Sequence, residues 1–246
     1  MGQKIRPQSL RLGINEAWSS RWWPRDGYPR ELEEDEIIRA AINERMALAG
    51  IVRIDIERGS DRTYKIFLKV ARPGLVIGRG GKGIEDLAKL IESRLRAIMV
   101  KRGVAAPKVF INLTVDELKR SEISAQYTAQ QIAWDLEKRL PGRRTMKRYL
   151  DLIKQNREVQ GARIKFSGRI DGAEISRREM LSYGKLPLTT LRAHIDYGEA
   201  TAFASYGTVG IKIWIYRGEV FEKDSALRNT NRYESTKRED QPLSHS

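Results

Sequence analysis

Cysteine is absent from this chain of 246 residues, and histidine occurs only at His194 and His245. Without thiols there is no disulfide framework, no thiolate metal site and no cysteine nucleophile. Two histidines are too few for a histidine metal cluster, so neither metal nor cofactor is expected. The chain also lacks a run of 18 apolar residues, and its mean hydropathy is −0.53, which excludes a membrane-spanning helix. Residues 1–13 carry no apolar stretch of the kind a secretory signal needs, so a cytoplasmic protein is expected. Charge balance is lacking too. Forty-six Lys and Arg face 32 Asp and Glu, giving a net charge of +14 and a pI near 10.0. That excess points to a polyanionic partner, nucleic acid before an anionic membrane surface.

The densest signal that is present runs Val76-Ile77-Gly78-Arg79-Gly80-Gly81-Lys82-Gly83-Ile84. Glycine permits positive φ and close approach of backbone to a ligand, and a helix N-terminus just beyond would favour phosphate. Gly78-x-Gly80-x-x-Gly83 satisfies the dinucleotide fingerprint, which needs a strand before it and an acidic residue about 20 positions on. Here Pro73-Gly74 leaves a lead-in of only Leu75, Val76 and Ile77, and Met99 to Gly103 holds no acid. A Walker loop fails as well, because Ile84 follows Gly83 where lysine is required. The reading that survives is the KH clamp, Gly78-Arg79-Gly80-Gly81, which grips the backbone of about four nucleotides. Arg72, Arg79 and Lys82 are its candidate phosphate contacts.

The flanks decide for that reading. Ile37, Ile38, Ala41, Ile42, Met46 and Ala49 recur at helical spacing after an acidic opening, and Gly50 stops them. Residues 51–57 and 64–70 alternate as strands around a turn at Gly59-Ser60-Asp61. Residues 84–98 form an amphipathic helix ending near Gly103, and residues 109–115 form a strand. With a short helical turn at 72–77, the order helix, strand, strand, clamp, helix, strand over 31–115 is that of a type II KH domain with a three-stranded sheet. Residues 1–30 form a basic arm carrying Trp18, Trp22 and Trp23, with Arg11, Arg21 and Arg25 available for phosphates.

Residues 116–220 read as a second α+β domain with a mainly antiparallel sheet. Its first part, 116–159, is helical. Leu118, Ala125, Ala129, Ile132, Leu136 and Leu140 share a stripe, and Pro141-Gly142 breaks into a second helix. Five of the ten residues from Arg139 to Arg148 are basic and none is acidic, an arrangement that self-repulsion disfavours unless a polyanion is at hand. Strands are expected over 163–170, 192–197, 200–206 and 210–216, and the tail 221–246 is expected to be disordered.

The ordered islands Met1 to Pro7, Arg11 to Ile14, Ala71 to Gly78, Arg143 to Lys147, Ser167 to Arg169 with Gly172 to Ile175, Leu191 to Tyr197, and Tyr206 to Ile215 give this chain a further likeness. It resembles the bacterial form of the protein-three family of the small ribosomal subunit. The resemblance implies a ribonucleoprotein component seated on ribosomal RNA in the head, with Lys4, Arg6 and Arg11 as anchors. It implies neighbours from ribosomal protein families ten, fourteen, four and five. It also implies that Arg143, Arg144 and Lys147 face the channel where messenger RNA enters and help unwind it. The family often carries an aromatic residue just before that basic pair, whereas this chain has Gly142.

Other function classes are weaker. A free KH regulator or ribosome assembly factor fits the clamp equally well. An enzyme would have to use Asp171, Glu174 or Glu179 as acid–base groups, and Arg169, Arg177 and Arg178 beside them suggest ordinary ion pairing instead. No membrane and no small-molecule substrate is expected.

Overall fold

The computed structural model describes residues 4–24, 27–59, 63–103, 109–118 and 124–221. Its elements run α1 (Pro7–Arg11), β1 (Ser20–Arg21), α2 (Tyr28–Arg45), β2 (Ile51–Arg58), β3 (Thr63–Val70), α3 (Pro73–Ile77), α4 (Lys82–Lys101) and β4 (Phe110–Glu117). They continue with α5 (Ala125–Glu137), α6 (Gly142–Lys154), β5 (Gly161–Gly168), β6 (Arg177–Gly184), β7 (Ala193–Ala204) and β8 (Gly207–Glu219). Two sheets organise them, β1-β2-β3-β4 and β6-β5-β8-β7.

The first core forms because two periodicities meet. Tyr64, Ile66, Leu68 and Val70 alternate inward along β3, while Leu87, Ile91, Leu95 and Met99 fall at four-residue spacing on α4, all buried. Burying each such side chain contributes about 2 kcal/mol, which adds to the helix propensity that the Ala, Leu, Glu, Lys and Arg of α4 already supply. β3 pairs antiparallel with β2 and parallel with β4. The three strands expected for the KH sheet are joined by β1, which lies parallel to β2 with Ser20 opposite Ile56. The arm therefore contributes to the sheet. Trp22 donates to Asp35 at 2.8 Å and stacks near Tyr28 and the Arg58 guanidinium. Trp18 and Trp23 stay exposed, and Arg25 lies outside the described residues, as do Ser60 and Asp61 of the hairpin turn.

The second core gathers α5, α6 and one face of the antiparallel sheet, with Phe166, Ile164, Ile211, Ile213 and Ile215 buried against Ile132, Leu136, Met146 and Ile153. Here the structure departs from the sequence expectation in three places. Helix does not begin at 116, because β4 runs to Glu117, and residues 119–123 lie outside the described set. Leu118 therefore falls off the stripe, as does Leu140, which lies beyond the end of α5 at Glu137 and is exposed. The strands expected at 192–197 and 200–206 are one strand, β7. Gly198 does not turn the chain; a Cβ there would overlap the Ala125 carbonyl, so glycine lets α5 lie directly on the sheet. β6 was not expected, since an exposed edge strand shows little apolar alternation. The tail beyond Phe221 lies outside the described residues.

The two cores meet at a corner. A Cβ on Gly50, whose φ is 69°, would come within 2.7 Å of the Tyr127 ring. Gln130 on α5 donates to the Ile51 carbonyl at 3.0 Å.

Candidate nucleic-acid interface

The glycine clamp sits where α3 hands over to α4. Gly78, Gly80 and Gly81 take φ of 69°, 63° and 79°, the left-handed region that glycine enters without a Cβ penalty. A Cβ on Gly83 would collide with the Val76 carbonyl, so the fourth glycine closes α3 onto α4 and projects the loop outward. Among the described residues no side chain caps the start of α4. Arg72, Gly78, Arg79, Gly80 and Lys82 are exposed, Gly81 is half-buried, and neither Arg72, Arg79 nor Lys82 has an ion-pair partner among the described residues. The loop is thus an open, cationic turn with its backbone presented to solvent.

The basic helix α6 is built differently. Met146, Tyr149 and Ile153 bury one face, leaving Arg143, Arg144 and Lys147 exposed on the other. Tyr149 donates to Asp135 at 2.9 Å and fastens α6 to α5; its phenol pKa is raised, first by burial and then by that carboxylate. None of the three cations is ion-paired with a described residue. Arg143 and Arg144 stand in the first turn, where the helix dipole disfavours positive charge by about 0.3–1 kcal/mol each. Pro141 at the N-cap offers no side-chain acceptor. Asp171 supplies one from a distant loop: its Oδ1 accepts from the Gly142 amide at 2.8 Å.

Lys4, Arg6 and Arg11 do not form one set. Lys4 is exposed, and Arg6 is exposed but ion-paired with Glu199. Arg11 corrects the expectation of an RNA anchor. Its side chain is fully buried, and it donates to the carbonyls of Ala193 at 2.7 Å, Thr190 at 2.8 Å, Pro7 at 2.9 Å and Leu188 at 3.0 Å. Burial pushes its pKa down and the charge of Glu16 pushes it back. With four of its five N–H donors taken by these carbonyls and none of its surface exposed, the guanidinium presents nothing to a phosphate. Arg11 instead pins α1 to the loop before β7. Arg21 is half-buried beside Glu57 at 3.4 Å.

Of the three acids weighed for an enzyme, Glu179 pairs with Arg177 at 2.9 Å, whereas Asp171 serves as the α6 cap. Arg169 reaches neither Asp171 nor Glu174; it donates to the carbonyls of Ala173 at 2.8 Å and Tyr206 at 2.9 Å and so holds the loop between them. The capping role went unread in the sequence. Asp171-Gly172 is a turn signal there, but nothing local connects it to Gly142.

A KH unit with a cationic glycine clamp, joined to an α+β unit that displays a free basic helix, defines an RNA-binding protein. The comparisons narrow that class. Residues 37–123 match the KH domain family, and residues 132–215 match the family described as Ribosomal protein S3, C-terminal domain. The chain is 45% identical over 222 residues to small ribosomal subunit protein uS3 of Carboxydothermus hydrogenoformans, covering 89% of this chain and 93% of the relative. It is 42% identical to that of Endomicrobium trichonymphae, covering 91% and 90%, and 40% identical to that of Alkaliphilus oremlandii, covering 94% and 92%. The chain belongs to the ribosomal protein S3 family, uS3, whose members are structural, non-enzymatic components of the small ribosomal subunit in the cytoplasm.

Proposed function

We propose that this protein binds ribosomal RNA in the head of the small subunit and lines the channel where messenger RNA enters, with Arg143, Arg144 and Lys147 holding the incoming strand. One observation carries this reading. Three cations share the exposed face of α6, two of them at the end where the dipole opposes them, and no described carboxylate neutralises them. A polyanion outside the chain repays that arrangement. Counterion release makes such phosphate contacts strong and independent of sequence. Unwinding then needs no nucleotide cofactor, because translocation pulls the message while the cations hold single-strand phosphates. Lys4, and Arg6 alongside its partner Glu199, face ribosomal RNA; the clamp at Gly78–Gly81, with Arg72, Arg79 and Lys82, offers a second RNA contact. Neighbours from families ten, fourteen, four and five complete the surroundings.

The test replaces Arg143, Arg144 and Lys147 by Ala in reconstituted subunits and times translation of two messages, one with a stable hairpin and one without structure. The hairpin message is expected to slow more. Equal slowing of both overturns the reading.

A further inference from the structure

We infer that Asp171 is a positioning residue for the basic helix, setting the angle at which Arg143, Arg144 and Lys147 meet RNA; this rests on the proposed role of those three side chains. Three independent observations converge on the start of α6. The first is the cap itself. The Asp171 carboxylate accepts the Gly142 amide at 2.8 Å, where Pro141 has no side-chain acceptor to give. The second is steric. Gly142 is buried, and a Cβ there would lie 3.0 Å from Ile170 Cγ2 and 3.4 Å from Asp171 Oδ1. Any larger side chain at this position would press on the loop that carries the cap. The third is backbone strain. Among the described residues only Arg139 and Asp171 are non-glycine residues with φ in the left-handed region, at 62° and 55°. One lies three residues before α6 and the other caps it. Strained residues of this kind persist where the surroundings over-determine them, and they gather at functional sites.

Two arginines support this corner. Arg169 ties the 169–173 loop to the Tyr206 carbonyl, and Arg139 donates to Ser205 Oγ at 3.4 Å, so both strained residues are braced by the β7–β8 turn. The helix that carries the cations is thereby referenced to the sheet rather than left to its own frayed end. Asp171 contributes geometry. A carboxylate at this end of the helix also suits the positive end of its dipole, so a purely electrostatic role and a positional role predict different variants.

Asp171→Gly keeps the left-handed backbone and removes the acceptor, while Asp171→Asn keeps both the backbone preference and an oxygen acceptor and removes the charge. Hydrogen exchange at the Gly142 amide in the full-length protein reads the cap directly. It is expected to quicken about fivefold or more in Asp171→Gly, the usual worth of a helix cap, and to stay near the parent rate in Asp171→Asn. In reconstituted subunits, Asp171→Gly should slow the hairpin message selectively and Asp171→Asn should restore it. Unchanged exchange in Asp171→Gly overturns the proposal outright. So does selective slowing of the hairpin message in Asp171→Asn, which would make the charge the operative feature. If the Arg143, Arg144 and Lys147 triple variant slows the hairpin message selectively while Asp171→Gly does not, the positioning role alone falls. If the triple variant is itself unselective, the proposed function falls and the positioning role with it.

Discussion

Arginine at position 11 and arginine at position 143 are chemically the same side chain with opposite fates. Both sit in basic stretches, and both looked available for phosphate. Arg143 projects from a helix whose other face is buried, so its guanidinium stays in water. Arg11 lies on a five-residue helix that packs onto β7, where it is buried and gives four of its N–H donors to the carbonyls of Pro7, Leu188, Thr190 and Ala193. Replacing Arg11 with Met leaves those carbonyls buried without donors. Stability to guanidinium should fall by about 3 kcal/mol, since hydrogen bonds from charged groups are each worth about 1.5–3 kcal/mol and only part is recovered by packing. RNA affinity of the folded fraction should not change. A loss of RNA affinity without a loss of stability would return Arg11 to the role of an anchor.

At the scale of elements, the clamp shows how a turn is made by subtraction. Gly83 closes α3 against α4, and Gly78, Gly80 and Gly81 hold the left-handed dihedrals that expose backbone between them. At Gly80 and Gly81 a Cβ would meet nothing within 4 Å. Aspartate tolerates this backbone region better than most residues, so Gly80→Asp with Gly81→Asp should fold and yet repel phosphate. Affinity of the isolated protein for single-stranded RNA is expected to fall about tenfold or more, roughly 1.4 kcal/mol, in an anisotropy titration. Undiminished affinity would make the loop a landmark of the fold alone. The elements that build this unit, α2 through β4, were legible because each carries its own period, 3.6 or 2, with glycine or proline at the joints. β6 was not, because an edge strand with both faces largely wet has no apolar alternation to show. Nor was the unbroken course of β7, because the same glycine that reads as a break serves a close approach by α5.

Across the whole molecule the net charge of +14 sets how affinity responds to salt. Each phosphate contact on a single strand contributes about 0.7 to the slope of log affinity against log salt. Removing Arg143, Arg144 and Lys147 should therefore lower that slope by about two in binding isotherms over a range of potassium chloride concentrations. A slope that does not move would place RNA elsewhere on the surface. The same charge is not spread evenly in its use. In the KH unit Arg58 is held by Glu34 and Asp35, and Arg102 by Glu33 and Glu34, so these cations are internal. Around the clamp, and at Arg143, Arg144 and Lys147 of α6, no described carboxylate pairs with them, whereas Arg148 of the same helix reaches Asp135. Burial alone would lower the Arg58 pKa, but its hydrogen bond to Asp35 and that carboxylate's charge carry it higher, as expected of a cation spent on the fold.

Local pattern in the sequence determined the KH unit, the position of the clamp, the basic helix and the antiparallel nature of the second sheet, because each depends on residues within a few positions of one another. Tertiary structure alone decided which cations are free. Arg11 meets carbonyls about 180 residues away in sequence, and Asp171 meets an amide 29 residues away. Such contacts exist only after two elements pack, so no local period announces them. The sequence supplied the charges; packing decided which of them still face water.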